Sequence, residues 1–203
     1  NSGEPCNTVS NTFEGLEYAI ANGAQVSNHS YGSYNFSHVF YDVALAGQAA
    51  GHLLVCSAGN DSNDNDVNAH YPDGYELDNI ISVAAVDSSG NLAGFSNYGA
   101  TSVDLGAPGV EIVSMISNGN TAIYQGTSMA APHVSGAVAL VWGERPELSY
   151  LQVRNVILDS ARPLTSLAGN TVTGGTLTAS FALGVWLDPP AGPGVGSFHE
   201  PYT

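Results

Sequence analysis

The sequence predicts an α/β fold, in which a doubly wound, mainly parallel sheet carries helices on both faces. Three observations lead to this prediction. Segments with apolar residues at helical spacing alternate with short apolar runs along the chain. Those runs contain few polar residues, which is typical of parallel strands covered on both faces. With 203 residues, 43% of them hydrophobic, the chain can bury a sizeable core as one domain.

The first predicted helix covers 10–21, where apolar side chains recur at helical spacing after polar capping residues. A second helix is closed by Gly51, and two apolar runs flank a loop rich in Asp and Asn. The other elements predicted in this half are strands over 24–30, 53–58 and 80–86, a helix over 39–50 and the loop over 61–79.

The second half continues the alternation with short strands and three helices. The predicted elements are strands over 103–105 and 112–115 and helices over 127–142, 149–160 and 177–184. From Asp188 the composition shifts to proline and glycine, which is typical of a linker. We therefore expect a domain over 1–187 followed by a Pro/Gly-rich tail or linker over 188–203.

The composition excludes two classes of partner. The chain has 18 acidic and 3 basic residues, and its formal net charge is −15. Nucleic acids and anionic membranes bind surfaces rich in Lys and Arg, so neither is an expected partner. No apolar run is long enough to span a bilayer. Cys56 lies in an apolar run and is expected to be a buried thiol, while a disulfide with Cys6 stays open.

The segment 126–136, Gly-Thr-Ser-Met-Ala-Ala-Pro-His-Val-Ser-Gly, places Ser128 in the first turn of a predicted helix. Free N–H groups and the helix dipole favour negative charge at that position. The whole run closely resembles the nucleophile motif of the subtilisin-like serine proteases, the subtilases, including the Pro132-His133 pair. The resemblance implies that Ser128 is the catalytic nucleophile. The alternative is a tight Gly/Ala helix with an incidental serine.

Asn60 follows the strand predicted over 53–58, at the edge where ligand sites of open α/β sheets lie. The resemblance implies that its side-chain amide and the Ser128 N–H form the oxyanion hole. The alternative for Asn60 is an ordinary turn residue. The resemblance also implies that the peptide substrate adds as a strand beside the 30–32 segment. The implied substrate-binding residues are Ser30, Tyr31, Gly32, Ser57, Ala58, Gly59 and Asp73.

Asp73 belongs to the segment 70–75, His-Tyr-Pro-Asp-Gly-Tyr, which resembles the loop at the base of the family's S1 pocket. The resemblance implies a cis peptide bond between Tyr71 and Pro72. The family often has Ala or Gly where this chain has Asp73, and a carboxylate there would favour a basic substrate side chain or a cation. The alternative is an Asp-Gly turn that faces solvent.

A serine nucleophile needs a general base and a group that orients the base. The subtilase motifs that carry the catalytic Asp and His are not found ahead of Ser128. His133 lies five residues beyond Ser128, about 500° of rotation and ~7.5 Å of rise along a helix, so it faces away. No other histidine matches a catalytic motif, and the lack of lysine excludes a Ser–Lys dyad within this chain. The resemblance therefore covers 10–184, with the front third of the domain missing.

Asp61, Asp64 and Asp66 alternate with asparagines, and such oxygen ligands suit Ca²⁺. The spacing is not that of an EF-hand, and solvated turns are the alternative. The implied chemistry requires no cofactor, so calcium is a candidate only as a structural ion. The segments 95–99 and 104–109 also resemble the family and are interpreted as scaffold, which includes Asp104.

The resemblance implies a secreted, extracellular serine endopeptidase that cleaves peptides or proteins through an acyl-enzyme. This chain would be the C-terminal part of the catalytic domain, not competent alone, and its partner would be the portion that carries Asp and His. One alternative is an inactive relative that acts as a peptide-binding or structural module. An esterase-type hydrolase ranks last, because the Gly-x-Ser-x-Gly elbow is absent.

Overall fold

The computed structural model describes residues 9–184, and in them helices alternate with strands as the sequence predicts. The helices are α1 Val9–Ala21, α2 His38–Ala49, α3 Thr127–Glu144, α4 Tyr150–Asp159 and α5 Ala179–Ala182, with a 3-10 turn at Ser117–Gly119. The strands are β1 Val26–His29, β2 Leu53–Ser57, β3 Ile80–Val86, β4 Leu105–Pro108, β5 Ile112–Met115, β6 Thr121–Tyr124, β7 Arg162–Pro163 and β8 Gly175–Thr176. The tail and Cys6 lie outside the described residues.

The main sheet has the order β1-β2-β3-β4-β8-β7. The pairs from β1 to β8 are parallel, and only β7 and β8 pair antiparallel. β5 and β6 form a separate antiparallel hairpin. The α/β class and the mainly parallel sheet are therefore confirmed.

Alternate side chains of β2 bury against helices on opposite faces of the sheet. Leu53 and Val55 belong to the cluster that contains the buried face of α3. Leu54 and Cys56 belong to a second cluster with residues of α1 and α2. This arrangement explains why β2 is an uninterrupted apolar run, since both of its faces are covered. Cys56 is a buried free thiol, as expected.

Two predicted elements differ most from the structure. The strand expected over 103–105 forms at Leu105–Pro108, because Val103 and Asp104 precede the ladder with β3. The closing helix expected over 177–184 has one turn, Ala179–Ala182, because β8 takes the residues just before it. The strand Thr121–Tyr124 was not predicted, since its side chains are largely exposed and lack a buried apolar pattern. Among the helices of residues 9–184, none combines the length and apolar character needed to cross a membrane.

Candidate active site

The nucleophile turn begins at Gly126, whose φ of 147° and ψ of 161° are accessible to glycine and not to other residues without strain. This residue is the N-cap of α3, so Ser128 is the second residue of the helix. The side chain of Ser128 is therefore in the first turn, where backbone N–H groups have no intrahelical acceptor. The local backbone agrees with the sequence expectation for Ser128.

Pro132 inside α3 explains how this turn is tied to β1. Proline has no N–H, so the carbonyl of Ser128, four residues earlier, has no helical donor. The Ser30 hydroxyl takes that place and donates to the Ser128 carbonyl at 2.8 Å. In return the Ser128 hydroxyl donates to the Ser30 carbonyl at 3.2 Å. This reciprocal pair brings the candidate nucleophile against the candidate substrate-binding segment.

Asn60 is held at the same place by Thr127, the neighbour of Ser128. Asn60 Oδ1 accepts from the Thr127 N–H at 2.8 Å and from the Thr127 hydroxyl at 3.1 Å. The Thr127 hydroxyl also accepts from the Gly59 N–H at 3.2 Å. Because a backbone N–H can only donate, the acceptor must be Asn60 Oδ1, and the Nδ2 donor is left for a ligand. Asn60 is exposed while Thr127 is fully buried.

The carboxyl ends of β1 and β2 therefore bring together Ser30, Asn60 and Ser128, as the sequence analysis expected. Sequence reasoning missed the part played by Thr127, which joins Asn60 to the nucleophile turn across 67 positions. Its position beside Ser128 in the motif was the only signal for it.

The substrate-binding residues expected on β2 are placed differently from those after β1. Tyr31 and Gly32 are exposed and Ser30 is half-buried, so this segment is open to a ligand. Ser57, Ala58 and Gly59 are buried, with the Ser57 hydroxyl bonded to the His29 carbonyl at 3.3 Å. Strand packing covers these three residues, Asn60 is the first exposed residue after them, and their contact with a substrate stays a prediction.

Tyr71–Pro72 is a cis peptide bond, as expected. The solvent-facing alternative for Asp73 is wrong, because the side chain of Asp73 is fully buried. Its Oδ1 accepts from His70 Nδ1, and its Oδ2 accepts from Ser82 and Asn65, each at 3.1 Å. With both oxygens engaged below the surface, Asp73 does not reach a basic substrate side chain or an external cation. Its burial also raises the pKa of the carboxyl, against the opposing effect of the His70 hydrogen bond.

His29 and His52 belong to a chain of hydrogen bonds beside β1, in which every donor points the same way along the chain. His52 Nδ1 donates to the Ala24 carbonyl at 2.7 Å, so Nε2 of the neutral ring accepts from Ser27 at 2.8 Å. The Ser27 oxygen then accepts from His29 Nε2 at 2.6 Å. His29 Nδ1 in turn accepts from the Tyr31 hydroxyl.

Neutral rings are required throughout this chain, and the environment favours them. Burial lowers the pKa of His29 to about 4, with a further contribution from His52. Burial also lowers the pKa of His52. His133 is exposed and bonds to the Met129 carbonyl of its own helix at 2.8 Å. These three histidines therefore bond to partners other than Ser128, whose hydroxyl donates to the Ser30 carbonyl.

The three candidate calcium ligands have separate partners. Asp61 accepts from the Tyr34 hydroxyl at 2.8 Å, and Asp64 accepts from the Asp66 N–H at 3.0 Å. Asp66 accepts from Thr101 and Ser102 across the neighbouring loop. Burial alone would raise the pKa of Asp66, but these hydrogen bonds together outweigh it and lower the pKa. Within residues 9–184 no cluster of three or more His, Cys, Asp or Glu is arranged to hold a metal ion. The carboxylates stabilise loops in this structure, and their role in calcium binding stays a prediction.

The chain matches known proteins over most of its length. The model of the subtilase family, Peptidase_S8, matches residues 2–184. Subtilisin Savinase of Lederbergia lenta is 38% identical over 175 residues, covering 86% of this chain and 62% of that protein. Subtilisin DY of Bacillus licheniformis is 39% identical over 158 residues, covering 77% of this chain and 57% of that protein.

Solved structures give the same assignment. A structure of proteases from Pseudoalteromonas arctica has a TM-score of 0.79 at 25% identity and covers 88% of this chain and 59% of its own. The prenylagaramide maturation protease PagA has a TM-score of 0.77 at 27% identity, with 90% and 69% covered. The chain spans about three fifths of the length of the two curated relatives.

Proposed function

Because the chain belongs to the subtilase family, we propose that it supplies the nucleophile and the oxyanion hole of a serine endopeptidase. Ser128 attacks the carbonyl carbon of a peptide bond and forms an acyl-enzyme, which water then hydrolyses. The general base that takes the Ser128 proton, and the carboxylate that orients it, come from sequence outside this chain. No cofactor takes part. The substrate is a peptide or protein, and the setting proposed from the family resemblance is extracellular.

The observation that carries this proposal is the orientation of Asn60. The two bonds from Thr127, the neighbour of Ser128, engage Asn60 Oδ1 and leave its Nδ2 as the donor for a ligand. A carbonyl oxygen that becomes negative during attack on its carbon needs such donors, fixed before the reaction begins. The Ser128 N–H, in the first turn of α3, is the second donor.

The 30–32 segment completes the proposed site by holding the substrate backbone. Its residues are accessible, and the Ser30 carbonyl is within hydrogen-bond distance of the nucleophile. An extended peptide that pairs with this segment would place one of its carbonyl carbons beside Ser128 Oγ.

A fluorophosphonate probe tests the proposal, because it reacts only with a serine that a neighbouring base has activated. We expect the full-length protein that includes the upstream Asp and His to be labelled at Ser128, and the variant Ser128→Ala to remain unlabelled. We expect the 203-residue chain alone to remain unlabelled, because none of its described histidines is bonded to Ser128. A full-length protein that carries Asp and His but is neither labelled nor active on any peptide would make it an inactive relative.

A further inference from the structure

The imidazole of His70 lies between the two segments that border the proposed cleft. A Cβ atom added to Gly32 would lie 2.2 Å from Cε1 and 2.7 Å from Nε2 of that ring. A Cβ added to Gly59 would lie 3.4 Å from its Cδ2. The ring therefore contacts the backbone after β1 with one edge and approaches the backbone after β2 with another. His70 itself is only 5% exposed.

The buried carboxylate of Asp73 fixes the ring in this position. Asp73 Oδ1 accepts from His70 Nδ1 at 2.5 Å. The other carboxylate oxygen is bonded to Ser82 on β3 and to Asn65, so the anchor belongs to the sheet. The ring also packs edge to face against Tyr34, with centroids 5.2 Å apart. Because Asp73 and Tyr34 both contact the His70 ring, the ring cannot rotate away without breaking its buried hydrogen bond to Asp73.

A peptide placed for attack by Ser128 would direct one side chain towards this ring. Its backbone lies along the 30–32 segment, and its carbonyl oxygen lies between the Ser128 N–H and Asn60. The side chain on the acyl side of that carbonyl then enters the space between Gly32 and Gly59, which the His70 ring occupies. The Asn97 amide also lies against Gly59, with Nδ2 2.3 Å from an added Cβ, so this side chain and the His70 ring fill the space together.

We propose that His70, anchored by Asp73, closes the acyl-side pocket and restricts cleavage to bonds that follow small residues such as Gly, Ala and Ser. This inference rests on the proposed function and names its substrate class. Selection is by volume, because Asp73 is fully buried and has both oxygens engaged, so it offers no charge to a basic side chain.

The test compares peptide substrates that differ only in the acyl-side residue, which is Ala, Phe, Arg or Glu. In the full-length protein we expect kcat/KM for Ala to exceed that for Phe by about 100-fold, because packing in such pockets discriminates by 10- to 200-fold for each misfitting group. His70→Gly should raise kcat/KM for Phe relative to that for Ala by about tenfold or more.

Two further variants keep the result interpretable. His70→Gly/Asp73→Asn removes the charge that His70→Gly alone would leave unpaired, and it should show the same gain for Phe. His38→Ala, at an exposed histidine on α2, should keep the wild-type order of substrates. Circular dichroism establishes that each variant folds, and His70→Ser replaces His70→Gly if that variant does not.

The outcomes separate this inference from the proposed function. A wild-type preference for Phe would show that the ring leaves the pocket and would overturn the inference while the peptidase assignment stands. A preference for Glu or Arg would overturn it in favour of recognition by charge. A protein labelled by fluorophosphonate that cleaves all four substrates equally would also overturn it. A protein that is neither labelled nor able to cleave any peptide would overturn the proposed function itself.

Discussion

Thr127 is a fully buried residue that joins Asn60 and Gly59 to the turn that carries Ser128. Its N–H and hydroxyl both bond to Asn60 Oδ1, and its hydroxyl also accepts from Gly59. Asn60 is thereby fixed by the residue next to the nucleophile. The distance between the two proposed oxyanion donors, Asn60 Nδ2 and the Ser128 N–H, thus depends on one peptide unit and one side chain.

At Asn60 we expect the loss of the amide to affect the chemical step far more than binding. Asn60→Ala in the full-length protein should lower kcat by about 10²- to 10³-fold with KM little changed, because the bond to the oxyanion forms only as charge develops. Steady-state kinetics on a single peptide substrate measure this. Asn91→Ala, in an exposed turn, is the control. An equal loss in KM, with kcat preserved, would assign Asn60 to ground-state binding.

Sequence motifs were sufficient to place Ser128 in the first turn of a helix and Asn60 just after a strand, because both lie in continuous runs of matching residues. They did not predict that Asp73 is buried, since the dipeptide Asp-Gly favours an exposed turn. The partners that bury it, Ser82 and His70, lie nine and three positions away, and nothing in those residue types indicates that they converge. The burial of Asp73 therefore depends on contacts made in the folded chain, which the motif alone does not show.

The start of α3 depends on a backbone conformation that a side chain would strain. Gly126→Ala should destabilise the protein by about 1–3 kcal/mol, because its φ and ψ lie in a region that is essentially restricted to glycine. Activity of the full-length protein should fall as well, since Ser128 is two residues away. Gly136→Ala is the matched control in the same helix, where an added Cβ meets nothing within 4 Å. It should be neutral or stabilising by up to about 1 kcal/mol.

Urea unfolding of both variants gives the comparison. Equal stability of the wild-type protein and Gly126→Ala would show that the turn adapts at no cost.

The hydrogen-bonded chain along β1 should make the stability of the protein depend on pH. The pKa of His29 is lowered in the folded state to about 4 from an ordinary value of 6.5. The unfolded state therefore binds a proton more readily, so this contribution is fully present above pH 6.5 and is lost as the pH falls from 6.5 to about 4. The loss from His29 is about 3 kcal/mol when each unit of pKa is taken as ~1.4 kcal/mol.

Urea unfolding at pH 7.5 and at pH 4.5 measures this effect. His29→Gln, which cannot titrate, should lose markedly less stability between the two values, and His133→Gln at an exposed site should behave as wild type. The same loss in the wild-type protein and in His29→Gln would assign the acid sensitivity to other groups.

At the scale of the whole molecule, Arg154 is one of three basic residues in an acidic chain, and it ties α4 to the centre of the sheet. Its Nη2 donates to Asp104 at 2.7 Å and its Nε donates to the Ile80 carbonyl at 3.0 Å. Asp104 also accepts from the Ser82 N–H at 2.8 Å. This role agrees with the interpretation of Asp104 as scaffold.

Arg154→Ala should therefore destabilise the fold by about 3 kcal/mol, because it leaves the buried Asp104 carboxylate without its cation. Arg162→Ala, at an exposed position on β7, should change the free energy of unfolding by less than about 0.5 kcal/mol. Chemical denaturation of both variants provides the test. Similar values for the two would show that Asp104 is satisfied by Ser82 alone.

The helices and strands of the sheet were predictable where their burial leaves a clear apolar pattern in the sequence. The strand expected over 80–86 has the observed bounds, since all seven residues of β3 are buried and apolar or small. The two-residue strands β7 and β8 are too short to carry any pattern, and their pairing is decided by the β4 edge. Short edge elements thus depend on the sheet that they join more than on their own sequence.

The Ser30 hydroxyl replaces the helical hydrogen bond that Pro132 removes, and this replacement affects how the site responds to heat. The first turn of α3 takes part of its order from the end of β1, so local opening of that edge releases Ser128 while the rest of the helix stays folded. Such openings require less free energy than global unfolding. On warming, the capacity of Ser128 to react should therefore decline before the helical signal does. The first contact to be lost would be the one between Ser30 and Ser128, which are 98 positions apart in the chain.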